Sequence, residues 1–364
     1  MSWCADRRGA RDGETVTRTN NFDALRLIGA MAVVVGHAYH LTGRPEHVPF
    51  VLGYPVQTLG VVIFFAISGY LITASWQRQT SLVPYFLARG LRIFPGLFLV
   101  VLVSILVLGP LVTTYDLGQY SRSSTTWSYL SNLRLEPFYA LPGTFKDVPY
   151  PGVVNGSLWT LPAEFFCYLV VPLVCLRLGR FGAVGMTGFL AISVWLASIP
   201  PEESAVVYGT RISDAAGMWA FFAAGALLWI AQQHRKDIFR TDLAVIAVAV
   251  HLMVMALWPQ WVHWMSWATL PYVVLTIGLA STSYLRGASR YGDFSYGLYL
   301  WSFPTQQVVV LVLGVTSMWV NLVVVTVISL ALAFMSWHLV ESPSLKLKKA
   351  LTRRSERPPS SVAA

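Results

Sequence analysis

The stretch that decides the fold is residues 23–40, DALRLIGAMAVVVGHAYH, which opens the first long apolar block of the chain. It is long enough to enter a lipid bilayer, where ionisable side chains are costly and usually functional. Arg26 and His37 are eleven residues apart, so a helix places His37 about 20° from Arg26 around its axis and about 16 Å further along. One face of a membrane helix is therefore predicted to carry a cation near one end and a possible proton acceptor near the other.

The composition is that of a polytopic membrane protein. Of the 364 residues, 55% are hydrophobic and 12% are charged, whereas soluble domains carry about 25% charged residues. The apolar residues form long blocks separated by short polar segments, which predicts an all-α membrane fold. We count about ten candidate spans, namely residues 24–42, 56–77, 91–113, 157–176, 182–200, 214–231, 243–258, 262–283, 294–314 and 319–340.

The distribution of Lys and Arg predicts the orientation of these spans. If the N-terminus is cytoplasmic, 21 of the 26 basic residues fall on that side, and the five others are Arg44, Arg122, Arg134, Lys146 and Arg211. This is the positive-inside bias of membrane proteins. We therefore predict a basic cytoplasmic tail at 1–22, a transmembrane domain at 23–343 and a basic disordered cytoplasmic tail at 344–364. The external loop at about 114–156 is expected to be an ordered lid or a ligand-facing loop.

Several function classes are disfavoured by the same residues. The net charge of +9 does not indicate nucleic-acid binding, because the basic residues lie at the predicted membrane edges. Three cysteines do not make a disulfide framework, and no Cys/His group has zinc spacing. The first apolar block is long and lacks a clear cleavage site, so we interpret it as a retained helix rather than a signal peptide.

Two intramembrane titratable residues are candidates for acid–base chemistry. His37 is predicted to lie in the outer half of the bilayer, where a near-neutral pKa suits a general base. Glu164 enters from the same side and is predicted to lie about 10 Å deep, so its carboxylate could orient His37. The alternatives are a packing histidine with a satisfied hydrogen bond and a carboxylate that serves as a structural partner. His40, three residues beyond His37, is a weaker candidate.

Basic and small residues offer a possible ligand site at the other side of the membrane. Arg89 and Arg92 share one helix face at the predicted mouth of the third span, where they could hold a phosphate-bearing ligand. An ordinary positive-inside anchor is the alternative for this pair. Ser68 and Gly69 fit either close helix packing or a slot for a thin ligand.

Taken in order, these segments resemble the membrane-bound acyltransferase 3 family, in its membrane-only form. The matching motifs span about residues 20 to 345 and are Asp23-x-x-Arg26 followed by His37, Phe64-Phe65-x-x-Ser68-Gly69, Arg89-x-x-Arg92-Ile-x-Pro95, Ser157-Leu-Trp159 with Glu164, Ser295-Tyr-Gly-Leu-Tyr299-Leu-Trp301, and Glu341-x-Pro343. Asp23 is expected either to cap the first helix or to pair with Arg26. The chain departs from many relatives at Ser302, where they have a histidine.

The resemblance implies an enzyme that moves an acyl group, often acetyl, from cytoplasmic acyl-CoA to a hydroxyl of a glycan or glycolipid in a bacterial inner membrane. It implies no metal. Three sets of site residues follow: His37, Glu164 and Arg26 as catalytic residues, Arg89, Arg92, Ser68 and Gly69 as acyl-CoA-binding residues, and Asp23, Trp159 and Tyr299 as further candidates. Arg26 could bind phosphate or steady the thioester, and the acyl group could first pass to a protein residue. The alternative function is a multi-pass transporter or flippase for a glycan or a small anion.

Overall fold

The computed structural model describes residues 20–78, 81–174, 180–285, 290, 292–314 and 317–346, and most of these are helical. The predicted tails fall largely outside the described residues, as do Arg177 and Arg286 of the orientation argument. Each of the ten predicted apolar segments coincides with a helix in the part of the chain that is described. Lipid offers no partner for backbone polar groups, which is why apolar blocks of this length form helices.

Ten long helices are present among the described residues. They are α1 Phe22–Leu41, α2 Val56–Arg78, α3 Leu82–Val103, α4 Thr160–Val174, α5 Arg180–Ala197, α6 Ile212–His234, α7 Thr241–Leu257, α8 Val262–Leu279, α9 Ser295–Leu313 and α10 Met318–Ser336. Helix α3 continues through a π-helical turn and a short helix to Val112, and α10 continues through a π-helical turn at Trp337–Glu341. A 3-10 turn, Gly156–Trp159, leads into α4.

Seven of the helical segments described are long and apolar enough to cross a membrane, judged by length and composition. They are Phe22–Leu41, Val56–Arg78, Leu82–Val112, Gly156–Val174, Ile212–His234, Pro259–Leu279 and Met318–Lys346. Phe181–Ala197 and Thr241–Leu257 are apolar but shorter. Helix α9 is long but carries buried polar side chains, including Gln306 and Gln307. The ten-span count and the orientation remain predictions.

Helix α2 lies at the centre of the bundle and packs against α1, α4, α6 and α8. Helix α1 also packs against α9, which in turn contacts α3 and α10. Small residues permit the closest crossing: a Cβ on Gly69 of α2 would lie 2.0 Å from the Phe222 carbonyl oxygen, and one on Gly225 of α6 would lie 2.3 Å from that of Ala66. We call the end at which α1 begins and α2 ends the basic end of the bundle, and the opposite end the far end.

The segment between α3 and α4, at the far end, is folded. It contains short helices at Leu117–Arg122 and Ser124–Ser128 and a 3-10 turn at Tyr129–Arg134. The Tyr120 hydroxyl donates to the Ile105 carbonyl within the π-helical turn of α3, at 2.8 Å. Two small antiparallel hairpins complete the far end, Phe50–Val51 with Tyr54–Pro55 and Val206–Val207 with Thr210–Arg211.

Candidate active site

Two cavities lie one after the other along the bundle. The arginine cavity, about 480 Å³, extends from Asn20 and Arg78 at the basic end to Val61. The histidine cavity, about 430 Å³, extends from His40 at the far end to the same valine. Val61 and Tyr299 line both cavities. Volumes of this size are typical of small-ligand sites.

Arg92, on α3, lines the arginine cavity with its charge already paired. Its Nη2 lies 2.7 Å from Oδ2 of Asp293, which immediately precedes α9. Burial alone would raise the pKa of the Asp293 carboxyl, but Arg92 and Arg26 outweigh burial and hold that pKa well below its ordinary value. Asp293 is therefore an anion that holds Arg92 in place.

Arg89 lines the same cavity but, unlike Arg92, forms no ion pair with a described residue. Its guanidinium carbon lies 6.0 Å from the ring centroids of both Tyr85 and Tyr168, within the range of cation–π contacts. Its Nε is buried without a hydrogen-bond partner, and no ion pair joins it to another described residue. Of the two motif arginines, Arg89 is thus the one with capacity left for an anionic ligand.

A carboxylate and two hydroxyls form the inner part of the arginine cavity. Glu164 accepts hydrogen bonds from the hydroxyls of Ser68, at 3.3 Å, and Tyr168, at 2.5 Å. Arg26 also lines this cavity, and its Nη1 lies 3.2 Å from Asp23 Oδ1. Of the two roles expected for Asp23, the structure shows the pairing with Arg26.

His37 lines the second cavity. Its ring packs edge-on against Phe303 with centroids 5.1 Å apart, and its Nδ1 is buried without a hydrogen-bond partner. Leaving such a group unsatisfied costs about 1–3 kcal/mol. This is not the satisfied packing histidine that the alternative interpretation required. The His37 ring lines the cavity, where it can contact a ligand.

His40 and Gln57 lie next to His37 in the same cavity. His40 Nδ1 is 3.2 Å from the Gly36 carbonyl oxygen and must be the donor, because a carbonyl can only accept. Gln57 lies against the backbone of α1, since a Cβ on Gly36 would lie 2.2 Å from Gln57 Oε1. Trp159 also lines this cavity.

Tyr299 lies where the two cavities meet. Its hydroxyl lies 2.6 Å from both the Ser157 carbonyl oxygen and Thr160 Oγ1, and Thr160 Oγ1 lies 3.4 Å from the same carbonyl oxygen. Its ring packs edge-on against Phe64, with centroids 6.0 Å apart. These contacts fix the side chain between the 3-10 turn before α4 and helix α2.

The predicted contact between Glu164 and His37 is wrong. Glu164 is level with Ser68, whereas His37 is level with Gln57, and these two α2 residues are eleven positions or about 16 Å apart. The prediction assumed that α4 begins near the membrane surface. The chain instead re-enters the bundle before α4, where the Asn155 side chain is fully buried and donates to the Leu300 carbonyl at 2.9 Å.

Two other predicted features also differ. Gly69 faces α6 rather than a cavity, so it permits close helix packing and lines no ligand slot in the structure. The third span was predicted to begin at residue 91, whereas helix α3 begins at Leu82, so Arg89 and Arg92 both lie within the helix; their place at the membrane surface stays a prediction. Ser302, at the position of the relatives' histidine, is fully buried and does not line either cavity.

Sequence reasoning missed three residues of the cavities. Asp293 could have been found from its position immediately before the Ser295 motif, since a buried arginine needs a counter-ion. Tyr168 is four residues after Glu164, the spacing of neighbours on one helix face. Gln57 could not have been found from the sequence, because a single glutamine at the start of an apolar helix is common and belongs to no motif.

Comparison with known proteins places this site in a family. A family model described as an acyltransferase domain matches residues 19–338. The chain belongs to the acyltransferase 3 family. This acyltransferase is 27% identical to the O-acetyl transferase of Shigella phage Sf6, over 93% of this chain and 98% of the phage protein. It is 32% identical to nodulation protein 10 of Rhizobium leguminosarum bv. viciae, over 92% of this chain and 95% of that protein.

A more distant relative is the peptidoglycan O-acetyltransferase OatA of Listeria monocytogenes, 24% identical over 90% of the acyltransferase and 56% of OatA. No solved structure matches the chain. The predicted family is confirmed, and so is the prediction of an O-acetyltransferase enzyme. The apolar helices identify the acyltransferase as a multi-pass membrane protein. The family favours the enzyme over the transporter that was its alternative.

Proposed function

We propose that the protein transfers an acetyl group from acyl-CoA, bound in the arginine cavity, to a glycan hydroxyl bound in the histidine cavity. The observation that carries this proposal is the pair of cavities that extend from opposite ends of the bundle and share Val61 and Tyr299. Donor and acceptor can then approach from opposite sides of a membrane and meet at one point. The basic end would face the cytoplasm of a bacterial cell, where acyl-CoA is made, as the positive-inside bias predicts.

The donor side is argued from charge. Four arginines and two carboxylates line the arginine cavity, so it suits a ligand with several phosphates. Arg89 would contact a phosphate directly, while Arg92 stays paired with Asp293. The acyl arm would then run past Ser68 and Phe64 towards Tyr299. Arg26 is near this route and would contact either the phosphates or the thioester end.

The acceptor side is argued from the free imidazole. His37 would take the proton of the acceptor hydroxyl, whose oxygen attacks the thioester carbonyl carbon. A carbon–oxygen bond forms, the carbon–sulfur bond breaks, and CoA leaves as the thiolate while His37 holds the proton. Gln57 and Thr58 lie in the first turn of α2 and line the cavity, so the positive end of that helix dipole faces the developing oxyanion.

The relatives support an acceptor of the glycan class. One is named as a peptidoglycan O-acetyltransferase and another as an O-acetyl transferase. Glu164 accepts hydrogen bonds from the Ser68 and Tyr168 hydroxyls, so its proposed role is to hold these groups of the arginine cavity instead of orienting His37. Direct transfer is the simplest route that this geometry allows, and a temporary acyl group on a protein residue is the alternative.

The proposal is tested with purified protein, labelled acetyl-CoA and glycans extracted from the source cells. We expect wild-type protein to place label on the glycan and His37→Gln to lower kcat by about 10²–10⁴-fold, the usual contribution of a general base. His47→Gln is the matched control, because His47 is exposed and pairs only with Glu46 at 2.8 Å. Wild-type kcat in His37→Gln protein would remove this histidine from the mechanism, and no labelled glycan with wild-type protein would contradict the proposed function.

A further inference from the structure

Three buried polar atoms without hydrogen-bond partners belong to residues of the histidine cavity. They are His37 Nδ1, Gln57 Oε1 and Ser157 Oγ. Unsatisfied buried groups are rare in proteins, and each one calls for an explanation. All three residues line the histidine cavity, which therefore brings an imidazole, an amide and a hydroxyl together in one place. The mechanism above uses only His37.

The position of Gln57 is fixed by its neighbours. It is the second residue of α2, and its side chain lies against Gly36, one residue before His37. A larger residue at position 36 would occupy the space of the amide, which lies within 3 Å of the place where a Cβ would be. The amide is therefore held beside the imidazole by the crossing of α1 and α2, independently of any ligand.

The lining of the histidine cavity identifies the chemistry of that ligand. Its walls are aromatic, from Tyr139, Tyr150, Trp159 and Phe303, and among the described residues no Lys, Arg, Asp or Glu lines it. The polar groups are hydroxyl, amide and imidazole, which form hydrogen bonds with hydroxyl groups. Apolar walls with a few convergent polar groups bind a neutral, compact ligand. An uncharged sugar ring has this chemistry, whereas the carboxylate of an acidic sugar would meet no Lys or Arg in the described lining.

We propose that Gln57 binds a hydroxyl of an uncharged sugar residue of the acceptor, next to the hydroxyl that His37 deprotonates, and so determines which hydroxyl is acetylated. This inference rests on the proposed function. A primary amide both donates and accepts, so it can hold a sugar hydroxyl in one orientation. Gln57 is in this sense an acceptor-binding residue that acts beside the general base.

The experiment replaces the chromosomal gene in the source organism with Gln57→Leu, which keeps the approximate size and removes the amide. Gln119→Leu is the matched control, because it makes the same change at a glutamine that is exposed and lines neither cavity. We measure base-released acetate from the cell-envelope glycans and the position of the acetyl groups by NMR. We expect Gln57→Leu to lower the acetate by about tenfold or to move it to another hydroxyl, since a lost polar contact of this kind is worth about one order of magnitude. Gln119→Leu should match wild type.

Binding of labelled acetyl-CoA to purified Gln57→Leu protein separates this role from a structural one. We expect the variant to bind acetyl-CoA as tightly as wild type does. If acetyl-CoA binding falls by the same factor as the glycan-bound acetate, the inference is overturned. The inference would also be overturned if the glycans of Gln57→Leu cells carried the wild-type amount of acetate at the wild-type position. If the leucine variant fails to accumulate, Gln57→Asn decides by the same two measurements. Unchanged acetate in a gene deletion would instead overturn the proposed function, and the inference with it.

Discussion

At the scale of single residues, the two motif arginines of α3 differ although their spacing makes them look equivalent. Arg92 is held by Asp293 at 2.7 Å, while Arg89 lies between two tyrosine rings with a buried Nε that has no hydrogen-bond partner. Although they share a helix face, Arg92 is already paired, whereas Arg89 can bind an anionic ligand.

We predict that Arg89→Gln raises the KM for acetyl-CoA by about 10–100-fold, because a hydrogen bond to a charged group contributes about 1.5–3 kcal/mol. The acceptor KM should not change, since Arg89 lies outside the histidine cavity. Steady-state kinetics with each substrate varied in turn measures both. Arg240→Gln is the control, because Arg240 is exposed and pairs with Asp242. An unchanged KM for acetyl-CoA would contradict this role and leave Arg89 as a positive-inside residue that only orients the helix.

Most of the site residues predicted from the sequence do line a cavity, but the sequence did not predict how they are grouped. Arg26 and His37 face the two adjoining cavities, as their eleven-residue spacing indicated. Glu164 was assigned to the wrong cavity because depth was counted from a predicted surface. Gln307, on α9, donates to the carbonyls of Tyr150 and Val153 at 2.8 and 2.6 Å and so holds the segment before α4 inside the bundle. The residues around Glu164 give no sign of this distant contact.

At the scale of elements, the crossing of α2 and α6 positions the centre of the site. Ser68 lies next to Gly69, so the close approach of α6 on one side of α2 leaves Ser68 directed at the arginine cavity on another. The sequence predicted both helices from their apolar length. The sequence could not show which small residue lies at the crossing. Gly217 and Gly225 are both on α6, but only Gly225 lies close to α2 in the structure.

The two glycines of α6 give a matched prediction. A Cβ at Gly225 would lie 2.3 Å from the Ala66 carbonyl oxygen, so Gly225→Ala should destabilise the protein by about 1–3 kcal/mol, the usual cost of overpacking. Gly217 has nothing within 4 Å of such a Cβ, so Gly217→Ala should be neutral or stabilise it by up to about 1 kcal/mol. Thermal unfolding of the purified variants in detergent compares them. Equal melting temperatures would contradict the packing described for α2 and α6.

At the scale of the whole molecule, the proposed function depends on a passage between the two cavities, which we place at a constriction formed by the residues they share. Val61, which is mostly buried, and Tyr299 are common to both cavities. A linear sequence could not show this, because the two residues are 238 positions apart on α2 and α9.

We predict that Val61→Trp closes the constriction and lowers kcat by about 100-fold or more, since small displacements of reacting groups cost this much. Labelled acetyl-CoA should still bind, because the arginines of the donor cavity are untouched. Val61→Ala, which widens the constriction, is the control and should keep most of the activity. Full transfer by the tryptophan variant, at wild-type abundance and stability, would show that the acyl group takes another route.

The central claim is that donor and acceptor enter from opposite ends of one bundle. Transfer in sealed, oriented membrane vesicles tests it most directly, with labelled acetyl-CoA supplied only at the face that carries the basic end and glycan present only at the other. We expect label on the glycan without loss of the vesicle seal, and none when acetyl-CoA is supplied only at the glycan face. Transfer that occurs only when both substrates share one face would contradict the account.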